Sequence, residues 1–240
     1  MGKGQVTLFV VIAVLFVAIV GIVFLATQKK SSNEIPEIKP IKAFIDNCLD
    51  STAEDALIFT GQQGGYYDIP KNSIDSYVYY FYNNKSFIPS KQKIESEISL
   101  YVNEMLPFCT QNFVEFPDFK IEADPYSVKT KTIILGDKVR FIIKWYVSIK
   151  KADIKYQLEE FSSEIKSRLN TIYNVAQNIT SEQLKDPSSI CLSCLTRLGI
   201  ENDLYIDMEN YDDDTVIFTI KDNQTLIKNQ PYKFVFANKY

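Results

Sequence analysis

No charged residue occurs between positions 4 and 28, and residues 6–26 are almost wholly Val, Ile, Leu, Phe and Ala. At about 1.5 Å per residue this run makes a helix about 30 Å long, the thickness of a bilayer's hydrocarbon core. A water-soluble helix of that length carries a polar stripe, and this one has none. The sequence therefore predicts a transmembrane helix within residues 1–28, with the lipid bilayer as partner of residues 6–26. A cleaved secretory signal fits less well. Its apolar stretch is shorter, about 7–15 residues, and small residues mark its cut, whereas Phe24-Leu25-Ala26-Thr27 lacks an A-x-A-like pattern.

Orientation draws on opposing signals. Lys29, Lys30, Lys39 and Lys42 follow the apolar run while Lys3 precedes it, which under the positive-inside rule places the larger part in the cytoplasm. Four cysteines and the sequons at Asn84, Asn178 and Asn223 favour the outside, and long domains translocate largely regardless of charge. The expectation is an extracytoplasmic ectodomain on a single-pass anchor.

Lys3-Gly4-Gln5-Val6-Thr7-Leu8-Phe9, running straight into the apolar segment, resembles the class III signal of archaeal type IV pilin-like proteins. The resemblance implies cleavage between Gly4 and Gln5 by a prepilin peptidase, and a helix that serves as filament core. It covers about 25 residues. Phe9 stands where those pilins carry a glutamate at the fifth mature position. The opening is also similar to uncharacterised single-pass proteins of small-genome archaea.

Residues 29–40 are polar, and Pro36 and Pro40 would interrupt a continuing helix, so they read as a linker. The ordinary pilin plan, one unbroken helix from membrane into head, predicts otherwise. Residues 41–240 then form the ectodomain, with a boundary between two sub-domains expected near 110–118. Ile41, Phe44, Ile45, Cys48, Leu49, Ala56 and Leu57 recur at helical spacing up to Gly61. A strand over 74–82 turns at Asn83-Asn84, and Ser90 caps a second helix that should stop before Pro107. Strands follow over 119–123, 128–135 and 139–149. A third helix is expected to carry Leu158, Phe161, Ile165, Leu169, Ile172 and Ala176 at steps of three and four. A short helix over 190–198 and strands over 204–209, 215–221 and 232–237 complete the pattern. Helices between antiparallel hairpins define an α+β class.

Chemistry is sparsely signalled. The chain has no histidine, which removes Ser-His-Asp and Cys-His catalysis and His-ligated metals. With 26 basic against 30 acidic side chains it lacks the basic surface that nucleic acid requires. The glycine-rich stretch at 61–65 matches neither phosphate-binding pattern. No cofactor or metal is expected. Cys191-Leu192-Ser193-Cys194 is the one motif with reactive potential, yet no βαβ pattern surrounds it. Of the three pairings that four cysteines permit, Cys48–Cys109 and Cys191–Cys194 are expected, with a redox or metal role for the second pair as alternatives. Asp207, Glu209, Asp212, Asp213 and Asp214 lack EF-hand spacing and read as a polar hairpin. Tyr77, Tyr79, Tyr80 and Tyr82 lie in one strand, where one face packs on helices and the other offers a candidate contact surface. The sequence as a whole points to a protein that acts through protein partners or self-assembly rather than catalysis.

Overall fold

The computed structural model describes residues 37–240. The anticipated membrane segment, the processing site at Gly4 and Gln5 and most of the linker lie outside them. Among the described residues no helix is long and apolar enough to cross a membrane. Pro40–Tyr240 forms one compact unit.

Helix α1, Lys39–Gln62, admits Pro40 in its first turn, where a missing N–H costs nothing. Ile41, Ile45, Cys48, Leu49, Ala53, Ala56 and Leu57 are its buried stripe. The glycine-rich turn that follows is shaped by close packing. A Cβ on Gly61 would stand 2.6 Å from the Lys233 carbonyl oxygen, and one on Gly65 would stand 2.7 Å from Ile94 Cγ1.

Two sheets flank the helices. The first has the order β1 (Ser73–Ile74), β2 (Tyr77–Tyr82), β10 (Gln230–Lys239), β9 (Thr215–Ile227), β8 (Tyr205–Asn210), with β3 (Lys85–Ser86) paired to β2. All its pairings are antiparallel except β2 with β10, which are parallel and join the two ends of the unit. The predicted 74–82 strand is divided at Asp75, whose φ is 50°. Asn83 and Asn84 both adopt positive φ, which a two-residue hairpin turn of the right twist demands. Tyr80, Phe218, Phe234 and Phe236 fill the inner face, with Tyr80 stacked on Phe236 at 4.5 Å.

The second sheet is built on β6 (Lys138–Lys151). β4 (Lys120–Ala123) and β5 (Lys129–Ile134) share one of its edges, and β7 (Ile154–Lys166) takes the other. Its inner face carries Val139, Phe141, Ile143, Trp145, Val147 and Ile149, all buried. α1 touches both sheets: Asp50 accepts a hydrogen bond from Ser163 of β7, and Asp55 pairs with Lys228 beyond β9 at 2.6 Å.

Helix α2, Lys91–Thr110, begins at the Ser90 cap, whose hydroxyl oxygen accepts from Lys93 N–H. It does not stop before Pro107 but runs to Thr110 and ends on Gln111 in the left-handed region. Pro107 is accommodated because its cost is local, whereas Ile94, Ile98, Val102 and Leu106 keep the helix buried through that turn. α2 lies along the outer edge of β5. Glu95, Ser99 and Asn103 side chains accept from the N–H groups of Ile134, Thr132 and Thr130 at 2.8, 3.0 and 2.7 Å.

The expected third helix is corrected. Residues 154–166 are strand β7, and helix α3 spans only Leu169–Lys185. Where β6 and β7 slip register, Trp145 and Tyr146 oppose Glu159. The inward series of β7 therefore runs Tyr156, Leu158, Phe161, Ser163, Ile165. From Leu158 onward a step of three followed by two steps of two reproduces helical spacing. Helix α4 spans Leu192–Asn202. The closing strands fall where the alternation predicts, and β9 and β10 extend further than expected. The α+β class with antiparallel-rich sheets holds.

Candidate functional site

The cysteines join in two pairs, Cys48 with Cys109 and Cys191 with Cys194. Cys48 is buried on α1 and the bond ties that helix to the last turn of α2. Cys191 lies in the open, and its sulfur accepts from Cys194 N–H as the cap of α4. The loop before it, not a strand, delivers the chain into that helix.

The tyrosine strand does not present an open face. Tyr80 is fully buried, its hydroxyl donating to the Gly64 carbonyl at 2.8 Å, and burial pushes its pKa well up. Tyr79 packs with Ile217, Val235 and Ala237 on the opposite face, and Tyr77 and Tyr82 are half-buried around that cluster. A central strand flanked by β1 and β10 is covered on both sides, which periodicity alone does not reveal. Of the sequons, Asn84 sits in the exposed β2–β3 turn with Ser86 exposed as well. Asn178 and Asn223 are exposed on α3 and β9, but their partners Thr180 and Thr225 are buried.

The acidic hairpin is held by its own turn. Asp214 N–H donates to Asp212 at 3.0 Å, and Lys239 pairs with Asp214 at 3.2 Å. Among the described residues no group of three His, Cys, Asp or Glu side chains could hold a metal ion.

Two buried charges escaped the sequence reading. Glu97 on α2 accepts from Tyr67 and Asp68 N–H at 2.9 Å each and from Lys93. Burial pushes its carboxyl up, but those donors outweigh it and hold the carboxyl below its ordinary value. Arg168 donates to Asp222 at 3.1 Å and to the carbonyls of Asn202 and Asp203, fastening the end of α4 to β9. The signal for Asp222 was present: it occupies an inward position in the series Val216, Phe218, Ile220.

An exposed apolar feature lies between α4 and β8. Of α4's side chains only Leu198 is buried, while Leu192 is 57% and Ile200 77% exposed. Tyr205 and Met208 of β8 are 55% and 41% exposed. Together with Leu195, Gly199 and Ile206 they line an open groove of about 500 Å³. Gly199 permits the close approach, since a Cβ there would stand 3.0 Å from the Leu204 carbonyl oxygen. Asp203 and Asp207 line the groove, Glu209 follows on the strand, and Asp212 and Asp213 stand exposed just beyond it. The helical periodicity of 190–198 predicted the element but not its bare side, because exposure depends on what the rest of the chain leaves uncovered.

The chain matches no protein-family model, no curated protein and no solved structure.

Proposed function

We propose that the chain is a single-pass membrane-anchored surface protein whose extracytoplasmic head acts by binding other proteins. The observation that carries this reading is the uncharged apolar run of residues 6–26, long enough to span a bilayer and followed in sequence by a folded unit. Two disulfides in that unit fit an oxidising compartment. An exposed apolar groove fits a role in binding.

Within this reading the N-terminus separates two forms. Lys3-Gly4-Gln5 supports a type IV pilin-like subunit released by cleavage after Gly4, and an intact start supports a plain signal-anchor holding a binding module. The native protein, isolated from cells, is expected in the membrane fraction and to resist extraction by alkaline carbonate. Recovery in the soluble fraction with residues 6–26 removed overturns the anchor. Mass measurement of the native N-terminus then decides between the two forms: loss of residues 1–4 assigns the pilin-like subunit, and retention assigns the signal-anchor.

A further inference from the structure

Among the described residues β8 is the terminal strand of the first sheet and pairs only with β9. Its edge differs from those of β5, β1 and β7. β5 has its outward N–H groups taken by the Glu95, Ser99 and Asn103 ladder, β1 is two residues long, and β7 is broken by a register shift and studded with charges. β8 runs six residues without proline, lysine or bulge.

The ladder alternation fixes which groups face outward. Tyr211 N–H donates to the Thr215 carbonyl, so Glu209, Asp207 and Tyr205 direct their backbone groups toward β9, and Ile206, Met208 and Asn210 direct theirs away. Among the described residues Met208 N–H is met only by the carboxylate of its neighbour Asp207, at 2.9 Å. Side chains sort the same way. By register Ile206 and Met208 share the face of Ile220 and Phe218, and Asp207 and Glu209 share the other face, Asp207 reaching the rim of the groove; no lysine or arginine among the described residues pairs with either carboxylate.

We infer that this edge is a β-augmentation site, and that its occupant is an extended segment of another protein alternating apolar with Lys or Arg residues. Adding a strand to β8 supplies partners for the outward groups of Ile206, Met208 and Asn210. The added strand's apolar side chains cover Leu192, Leu195, Ile200 and Met208, and its basic side chains meet Asp207 and Glu209. A second copy pairing β8 with β8 is disfavoured. It would bring two strands bearing Asp207 and Glu209 together, each beside an exposed Asp212 and Asp213. The inference deepens the binding role of the head and does not depend on how the chain is anchored.

The test uses the full chain in detergent micelles and a synthetic peptide of about ten residues alternating valine with lysine, N-methylated along one edge so that it stays monomeric. Saturable binding is expected, with loss of hydrogen exchange at Met208, weakening of at least about tenfold between low and high salt, and at least about tenfold weaker binding of the glutamate analogue. Methylating the second edge abolishes binding without altering the protein. Asp207→Lys with Glu209→Lys reverses the charge preference, and thermal melting confirms that the variant folds. Equal binding of both peptides, binding that survives methylation of both edges, or no binding overturns the assignment. So does a concentration-dependent dimer that masks β8 in the absence of peptide, which gives the edge to a second copy. These outcomes leave the membrane fractionation untouched, so the two readings fail separately.

Discussion

Glu97 shows how a single carboxylate can organise a segment that sequence patterns describe only as a turn. Its two oxygens collect Tyr67 and Asp68 N–H and the Lys93 ammonium, so the glycine-rich loop is pinned to α2 by a buried charge. Replacing it with alanine orphans two amide donors, and we expect a loss of about 2–3 kcal/mol in denaturant-derived stability. The folded carboxyl titrates below its ordinary value of 4.5. Its contribution is therefore complete above that value and is lost as pH falls through the lower folded one. Stability measured against pH should fall on the acid side in the wild type and fall less steeply in Glu97→Gln. Nothing at residue 97 announced this. In sequence Glu97 is one of several polar positions on a helix, and its two amide donors lie about thirty residues earlier. Ser90 and the Asn83-Asn84 pair were legible because caps and hairpin turns are satisfied by neighbours within a few residues.

Most elements with a single local period were legible, and the strand mistaken for helix had its period altered by a partner strand. β7 imitates a helix because the slip opposite Trp145 and Tyr146 inserts a step of three into its inward series. α2 shows the converse case, a second pattern hidden behind the first. Its apolar stripe was visible, but Glu95, Ser99 and Asn103 form a polar stripe at steps of four. Four helical residues rise about 6.0 Å and two strand residues about 6.6 Å, close enough for three successive matches to β5. This ladder closes an edge that would otherwise be open to other chains. Ser99→Ala should leave the buried Thr132 N–H without its acceptor and cost about 1–3 kcal/mol. Amide exchange at Thr130, Thr132 and Ile134 should quicken selectively while the β6–β7 ladder stays protected, and uniform quickening along the sheet would contradict a local edge role.

Across the whole molecule the covalent links serve different ends. Sheet one takes strands from both ends of the unit and sheet two is formed between them, so many native contacts join residues distant in sequence. Cys48–Cys109 closes a loop of 61 residues among these contacts, which in the chain-entropy account stabilises the fold by about 4 kcal/mol. Cys191–Cys194 closes a loop of only three, with Cys191 exposed and Cys194 half-buried at the start of α4. The pairing was foreshadowed by the spacing of two helices and a C-x-x-C. The groove near it was not, because α4 shows the apolar positions of a packed helix and its open side exists only where no other described element reaches. We expect mild reductant followed by alkylation and mass analysis to label Cys191 and Cys194 first, with little change in the global unfolding midpoint. Cys48→Ala paired with Cys109→Ala should lower that midpoint strongly while Cys191–Cys194 remains intact. If the order of reduction were reversed, the buried bond would have to be reached by opening of α1 and α2 more often than the exposed one meets reductant directly. The unit would then be far less cooperative than one core shared by two sheets requires.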